Sequence, residues 1–438
     1  MPSIFFIFLL FIAGLIRGPL SLLFIILKNF SRPLKLRIDF ERRNLNQEEC
    51  RSFRRDNLVA DFCFEVSSEG ELEQVRPLVE HYLFHKKLIE ILFASPSVEN
   101  KCLKLASDYK EQLRVMRLPI VCFAPISFLY FQSPWSWVTA PKIIFCRYDF
   151  YPELLSFKFF KKKLILLSAA GKNPSWFKKQ SISLFGLIVA ANETEAKYFK
   201  NIVVDRPIIS FDFRVPRIFE RLDSSLKTLQ SVEEVSTYLT FLDSKSASQK
   251  IVLGSMWESD LGILKNWPNE IAAGIKHLLL VPHNLNQEAI NQMLKSLDTF
   301  LPNVPVYEIK KGGAFNAAIL ETRPGIVILN LSGILCELYS KFSMAYVGGG
   351  YERSIHSVLE PFVSGCQVFC GPKISRSTEF DFIRDIAPDE IHLLNSPESF
   401  YNLVRENELK IPEVTVRSNL LKNARSSMEI IIKEIESC

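Results

Sequence analysis

Apolar and polar positions along the 438 residues change period in a regular way. From about Leu58 onward, short β-rich runs alternate with longer stretches of helical period, the pattern of parallel βαβ units. In the first half this predicts strands near Ala60 to Val66, Ile89 to Phe93, Pro119 to Phe123, Ile143 to Cys146, Leu164 to Ser168 and Gly186 to Ala190, with a helix over about Leu72 to His85. Phe219 to Gln249 is polar and helical in character and reads as the link between halves. A second series has strands at Lys250 to Leu253, His277 to Val281, Val304 to Tyr307, Val327 to Leu329, Met344 to Val347 and Gln367 to Cys370, and a helix over Ser418 to Ile435 closes the chain. Two such series describe an α/β protein of two doubly wound, Rossmann-like domains, residues 31–225 and 226–438. Their ligand crevices are expected at the carboxyl ends of the strands, with the site in the cleft between the domains.

Composition narrows the class without naming a chemistry. The chain is 48% hydrophobic and carries no repeat, so a folded body of two cores is expected. Nine cysteines, an odd number scattered from Cys50 to Cys438 with no CxxC pair, indicate a reduced compartment. Of six histidines only His81 and His85 share a helical spacing, without the glutamate of HExxH, so no metal and no other cofactor is expected. A net charge of +5, from 53 basic and 48 acidic residues, is modest, and no recognition motif accompanies it, so nucleic acid is not an expected partner.

Residues 1–30 stand apart. Ile4 to Ile16 are apolar without interruption, Arg17, Gly18 and Pro19 intervene, and a mostly apolar run continues to Leu27. The stretch is expected to be a membrane anchor helix, as a kinked span or an interfacial hairpin. A signal peptide fits less well, since there is no basic n-region and no A-x-A site. Lys28, Arg32, Lys35, Arg37, Arg42 and Arg43 follow, which the positive-inside bias would keep at a cytoplasmic face against anionic membrane lipids.

Three strand-to-helix turns carry the candidate chemistry. The first strand runs into Ser67-Ser68-Glu69-Gly70-Glu71, where a carboxylate in the first helical turn can act as general base. Read on composition alone, Glu69, Glu71 and Glu73 are equally a capping and solvated cluster. In the second half, Gly254-Ser255 ends a strand at a turn whose amides can cradle a phosphate. Gly348-Gly349-Gly350 follows another strand and precedes a helix expected to begin near His356. Three glycines let a ligand approach the backbone, and Glu360, one turn into that helix, is placed to accept hydrogen bonds from ribose hydroxyls.

These elements together resemble a known family. Gly70-Glu71-Leu72-Glu73-Gln74-Val75-Arg76-Pro77, Gly254-Ser255-Met256-Trp257, Val281-Pro282-His283, and Gly348-Gly349-Gly350-Tyr351 with Ile355-His356-Ser357-Val358-Leu359-Glu360 recur in the order found in the 3-deoxy-D-manno-octulosonic acid (Kdo) transferases, along with Arg147-Tyr148-Asp149-Phe150-Tyr151, Ser168-Ala169, Asp212-Phe213-Arg214 and the Gly371-Pro372 turn. The sequence departs from the family pattern at Ser357, at Asn284 and at Ser168-Ala169-Ala170. The resemblance implies a GT-B fold at the bacterial inner membrane and inverting, metal-independent transfer of Kdo from CMP-Kdo to a lipid A precursor (lipid IVA) in lipopolysaccharide core biosynthesis. It implies Glu71 as base, and Gly254, Ser255, His283, Gly348, Gly349, Gly350, His356, Ser357 and Glu360 as donor-binding residues. Arg147 and Arg214 would meet acceptor phosphates or the Kdo carboxylate, as would Lys172, which has no motif support. Two other readings stay open: a lipid-directed GT-B transferase using a UDP-sugar, and a catalytically degenerate membrane-bound scaffold.

Overall fold

Runs that are apolar without alternation belong to strands covered on both faces, and both sheets of the computed structural model are of this kind. It describes residues 6, 8–10, 12, 23–24, 26–119, 133–147, 149–171, 175–203, 206–375, 377–407 and 414–438. The first sheet comprises β1 (Phe62–Val66), β2 (Ile89–Phe93), β3 (Leu113–Arg117), β4 (Lys142–Cys146), β5 (Lys163–Ala169), β6 (Leu187–Ala190) and β7 (Ile208–Ser210), in the order β3-β2-β1-β4-β5-β6-β7. The second comprises β8 (Lys250–Met256), β9 (His277–Pro282), β10 (Val306–Lys310), β11 (Ile326–Asn330), β12 (Met344–Val347), β13 (Gln367–Cys370) and β14 (Ile391–Leu393), in the order β10-β11-β9-β8-β12-β13-β14. All their pairings are parallel. Each sheet therefore has a point where the strand order reverses, between β1 and β4 in one and between β8 and β12 in the other.

Burial in the second sheet follows the two-residue period of a strand. Ile251 and Leu253 of β8, with Leu278 and Leu280 of β9, enter one core, while Val252, Leu279 and Val281 enter the core on the opposite face. In the first sheet Ile143, Phe145, Leu164, Leu166 and Ile188 pack into one large cluster. The chain divides into two compact units, Met1–Arg217 with Ala424–Cys438 and Ile218–Asn423. The last helix, Val414–Ser437, thus ends on the first unit rather than closing the second. Ile431 and Ile435 are buried, and Lys142 Nζ donates to the Ile435 carbonyl at 2.9 Å.

Three strands escape the hydrophobic pattern. β3 lies earlier than the strand expected at Pro119 to Phe123, of which 120–123 fall outside the described residues. Its arginines conceal it. Arg117 is fully buried, donates to Glu99 Oε1 from Nε at 2.8 Å, and exchanges backbone hydrogen bonds of 2.9 and 2.8 Å with the Asn44 amide. β7 and β14 are three-residue edge strands, too short to show a period.

The expected membrane anchor is corrected. Among the described residues no helix is long and apolar enough to cross a membrane. Most of the apolar run lies outside the described residues, but Phe6 and Leu10 are buried in the first unit's core, with Phe6 edge-on to Trp176 and Phe177 at 5.9 and 5.4 Å. Burying such side chains in protein is worth about 1.5–3 kcal/mol each, so these members of the run act as core. Membrane lipids as partner through this segment, and a location at the inner membrane with the body on its cytoplasmic face, rested on the anchor and fall with it.

Candidate functional site

In the first unit, the helix Glu69–Phe84 starts directly after β1 because Ser68 caps it, its hydroxyl accepting from the Glu71 amide at 3.3 Å. Glu71 in turn accepts from the Ser67 amide at 2.6 Å and is only 6% exposed. Capping and a buried carboxylate at a strand end are thus one arrangement. Burial raises the Glu71 pKa, the Ser67 hydrogen bond opposes that, the Asp149 charge adds to it, and Arg147 pulls it back.

A second carboxylate, absent from the sequence reading, lies beneath. Glu65 of β1 is wholly buried, accepts from Ser67 Oγ at 2.9 Å, and its Oε2 has no hydrogen-bond partner among the described residues. Burial, then the neighbouring Glu71 charge, push its pKa well above the usual carboxylate range. Arg147, immediately after β4, has φ +69°, and Ser168 near the end of β5 has φ +51°. Gln74 ties the two when its amide is turned to satisfy both, accepting from Arg147 Nη2 at 2.8 Å and donating to Ser168 Oγ at 3.0 Å. Left-handed backbone at non-glycine residues costs on the order of 1–3 kcal/mol and gathers where side chains are aimed for a purpose. Arg214 is held differently, its Nε donating to Asp212 Oδ1 at 2.8 Å. Tyr148 and Lys172 lie outside the described residues.

In the second unit, Gly254, Ser255, Gly348, Gly349 and Gly350 converge where β8 and β12 end. A Cβ on Gly254 would sit 2.0 Å from the Tyr339 hydroxyl, one on Gly348 2.4 Å from the Ser255 carbonyl, and one on Gly350 2.6 Å from Gly371 Cα. Gly349 and Ser255 have φ +94° and +52°. The Gly348 amide donates to the Gly254 carbonyl at 2.9 Å. Beside this loop Trp257, His283 and His356 form an aromatic group: Trp257 lies 4.5 Å from His283, His283 lies 4.1 Å from His356, and Trp257 Nε1 donates to His356 Nε2 at 2.9 Å. Arg353 rests over the Trp257 ring at 4.1 Å. Burial, then His283 and Arg353, depress the His356 pKa to about 4, and burial and Arg353 lower that of His283. Neutral imidazoles therefore flank the loop at neutral pH.

The following helix starts later than expected. It spans only Leu359–Val363, beginning at Leu359 rather than near His356, and its first amide is taken by Glu379 Oε2 at 3.0 Å. The Ser357 hydroxyl donates to the same carboxylate at 2.9 Å. Glu360 is half-buried and lies 3.6 Å from Arg221, which makes a bidentate pair with Glu337 at 2.9 and 2.8 Å. Pattern reading passed over Glu65, Asp260, Arg221, Glu337 and Arg353, since each is a charged residue in an otherwise ordinary strand, helix or turn. Among the described residues no cluster of three or more His, Cys, Asp or Glu side chains could hold a metal ion.

No family model matches the chain. Among curated proteins, the 3-deoxy-D-manno-octulosonic acid transferase of Chlamydia muridarum is 25% identical over 223 residues, 49% of this chain and 48% of that protein, so the match spans about half of that relative's length. Among solved structures, a glycosyltransferase from Rickettsia africae aligns with a TM-score of 0.53 at 12% identity, covering 86% of this chain and 98% of that one. UDP-GlcNAc 2-epimerase from Neisseria meningitidis, bound to UDP-GlcNAc, aligns with a TM-score of 0.52 at 13% identity, covering 85% and 100%. These likenesses show the fold: two Rossmann-like units of GT-B type.

Proposed function

We propose that this protein is a glycosyltransferase that takes a nucleotide-activated sugar on its second unit and deprotonates an acceptor hydroxyl with Glu71 on its first. The observation that carries the reading is positional: Glu71 follows β1 and the Gly348–Gly350 loop follows β12, each at the strand-order reversal where open parallel sheets take their ligands. In the reaction Glu71 accepts the hydroxyl proton, the oxygen attacks the anomeric carbon from the face opposite the nucleotide, and the carbon–oxygen bond to phosphate breaks with its electron pair leaving on the nucleotide. A carboxylate whose proton affinity is raised by burial suits that base. Glycines bring backbone dipoles close to the leaving phosphate, and Arg353, Ser255, His283 and His356 border it. Glu360 accepts from the ribose, with Arg221 and Glu337 holding it in place. Arg147 and Arg214 are the candidate contacts for acidic groups of the acceptor.

Two donors remain in play. A UDP-sugar is favoured by the fold, since the epimerase that aligns over 85% of this chain holds UDP-GlcNAc. CMP-Kdo, with a lipid A precursor as acceptor, is favoured by the ordered motifs and by the half-length Chlamydia muridarum relative. The same fold also serves an epimerase, so fold alone does not choose the reaction. Calorimetric titration with CMP and with UDP, followed by mass spectrometry of the product formed from the matching donor sugar, decides the donor. Binding of neither nucleotide would overturn the reading altogether.

A further inference from the structure

Asp260 lies outside every motif considered so far, yet the glycine loop is organised on it. Its side chain is fully buried. Oδ2 accepts from the Gly349 amide at 2.9 Å and from the Trp257 amide at 2.9 Å, and Oδ1 accepts from the Tyr346 hydroxyl at 2.9 Å. Trp257 directly follows β8 and Gly349 lies just beyond β12, so a single carboxylate oxygen ties together the ends of the two strands that flank the order reversal. Gly348 is the close partner of this contact, for a Cβ there would lie 2.8 Å from Oδ2.

A buried carboxylate is costly unless its bonds are well made, and a neutral side chain of this size cannot bind two converging amides and a phenol with the same strength. Charge-assisted bonds of this kind are roughly twice as strong as neutral ones. They hold Gly349 at φ +94° and leave the loop's outer backbone without side chains in the way.

We propose that Asp260 is the positioning residue that locks the Gly348–Gly350 loop into the shape that receives the donor's nucleotide phosphate. The ligand in this statement rests on the nucleotide-sugar reading, whereas the hold on the loop does not. Two readouts separate them: calorimetric titration of CMP and of UDP, and amide hydrogen exchange at Gly349 and Trp257 with the β9 amides as internal control.

Asp260→Ala should weaken whichever nucleotide the wild type binds by about ten- to hundredfold, the worth of one or two charge-assisted hydrogen bonds. It should also speed exchange at Gly349 and Trp257 while β9 keeps its protection. Asp260→Asn, which retains an acceptor for the amides and can donate to the Tyr346 oxygen, should restore most of both. If the alanine variant does not fold, the asparagine variant carries the test with a few-fold loss of affinity and faster Gly349 exchange. Unchanged affinity in a folded variant, or β9 exchange rising in step with Gly349, overturns the proposal. If the wild type binds neither nucleotide, the functional reading falls, and wild-type-like Gly349 exchange in the variants would then overturn the hold on the loop as well.

Discussion

Glu71 shows how one side chain serves two demands. The serine at the helix cap and the glutamate three residues on are the spacing of a capping box, and here the glutamate accepts from the Ser67 amide while remaining buried at the strand end. If it is the base, Glu71→Gln should lower kcat by about 10²–10⁴-fold with little change in nucleotide affinity, read by steady-state kinetics and calorimetry. The wild-type rate should fall toward acid pH with a midpoint above the ordinary glutamate value of 4.5, because burial raises the Glu71 pKa. Glu65 gives a stability test. Its folded pKa is raised well above 4.5, so between those two values the folded state binds more protons than the unfolded state, and its contribution to stability falls as pH rises through that window. Denaturant titrations across that range should show Glu65→Gln losing this decline, with the variant gaining on the wild type as pH rises. Parallel pH profiles for the two proteins would mean that Glu65 does not hold its proton. Spacing made Glu71 legible as a candidate. Nothing in the sequence revealed Glu65, because a glutamate within Phe62–Val66 shows its burial only when neighbouring strands cover both faces.

At the scale of elements, the second unit's turns depend on glycine where backbone meets backbone. Gly348→Ala would press a methyl against the Ser255 carbonyl at 2.4 Å. It should cost about 1–3 kcal/mol of stability, as overpacking does, and weaken nucleotide binding as the loop shifts. Gly254 offers a sharper test, since its missing Cβ points at the Tyr339 hydroxyl. Gly254→Ala should be destabilising by a similar amount, and Tyr339→Phe should rescue part of it by removing the clashing oxygen. Additive losses in that thermal-denaturation cycle would contradict the contact. The glycine run was readable in advance, and so was the strand before it. The helix after it was readable in place but not in its start, since it begins at Leu359 and Glu379, nineteen positions beyond Glu360, takes its first amide. An interaction across that distance leaves no local periodicity.

For the whole molecule, two parallel sheets with matching order reversals mark the strand ends where sheets of this kind take ligands, and under the proposed function the donor is the property to measure. Glu360→Ala should weaken nucleotide binding by about tenfold, the loss of a ribose hydrogen bond to a charged group, and unchanged affinity would remove Glu360 from the nucleotide site. By itself the sequence determined the alternation of strands and helices, the buried character of the strands and the turns rich in glycine and carboxylate, since these follow from local period and backbone freedom. Tertiary structure alone decided which apolar residues of the N-terminal run become core, with Phe6 packed on Trp176 and Phe177. It also decided that Arg117 could sit in a buried strand opposite Glu99, and that Asp260 would join two strand ends. Burial and pairing depend on partners far away in the chain, and a side chain's chemistry becomes specific only when those partners arrive.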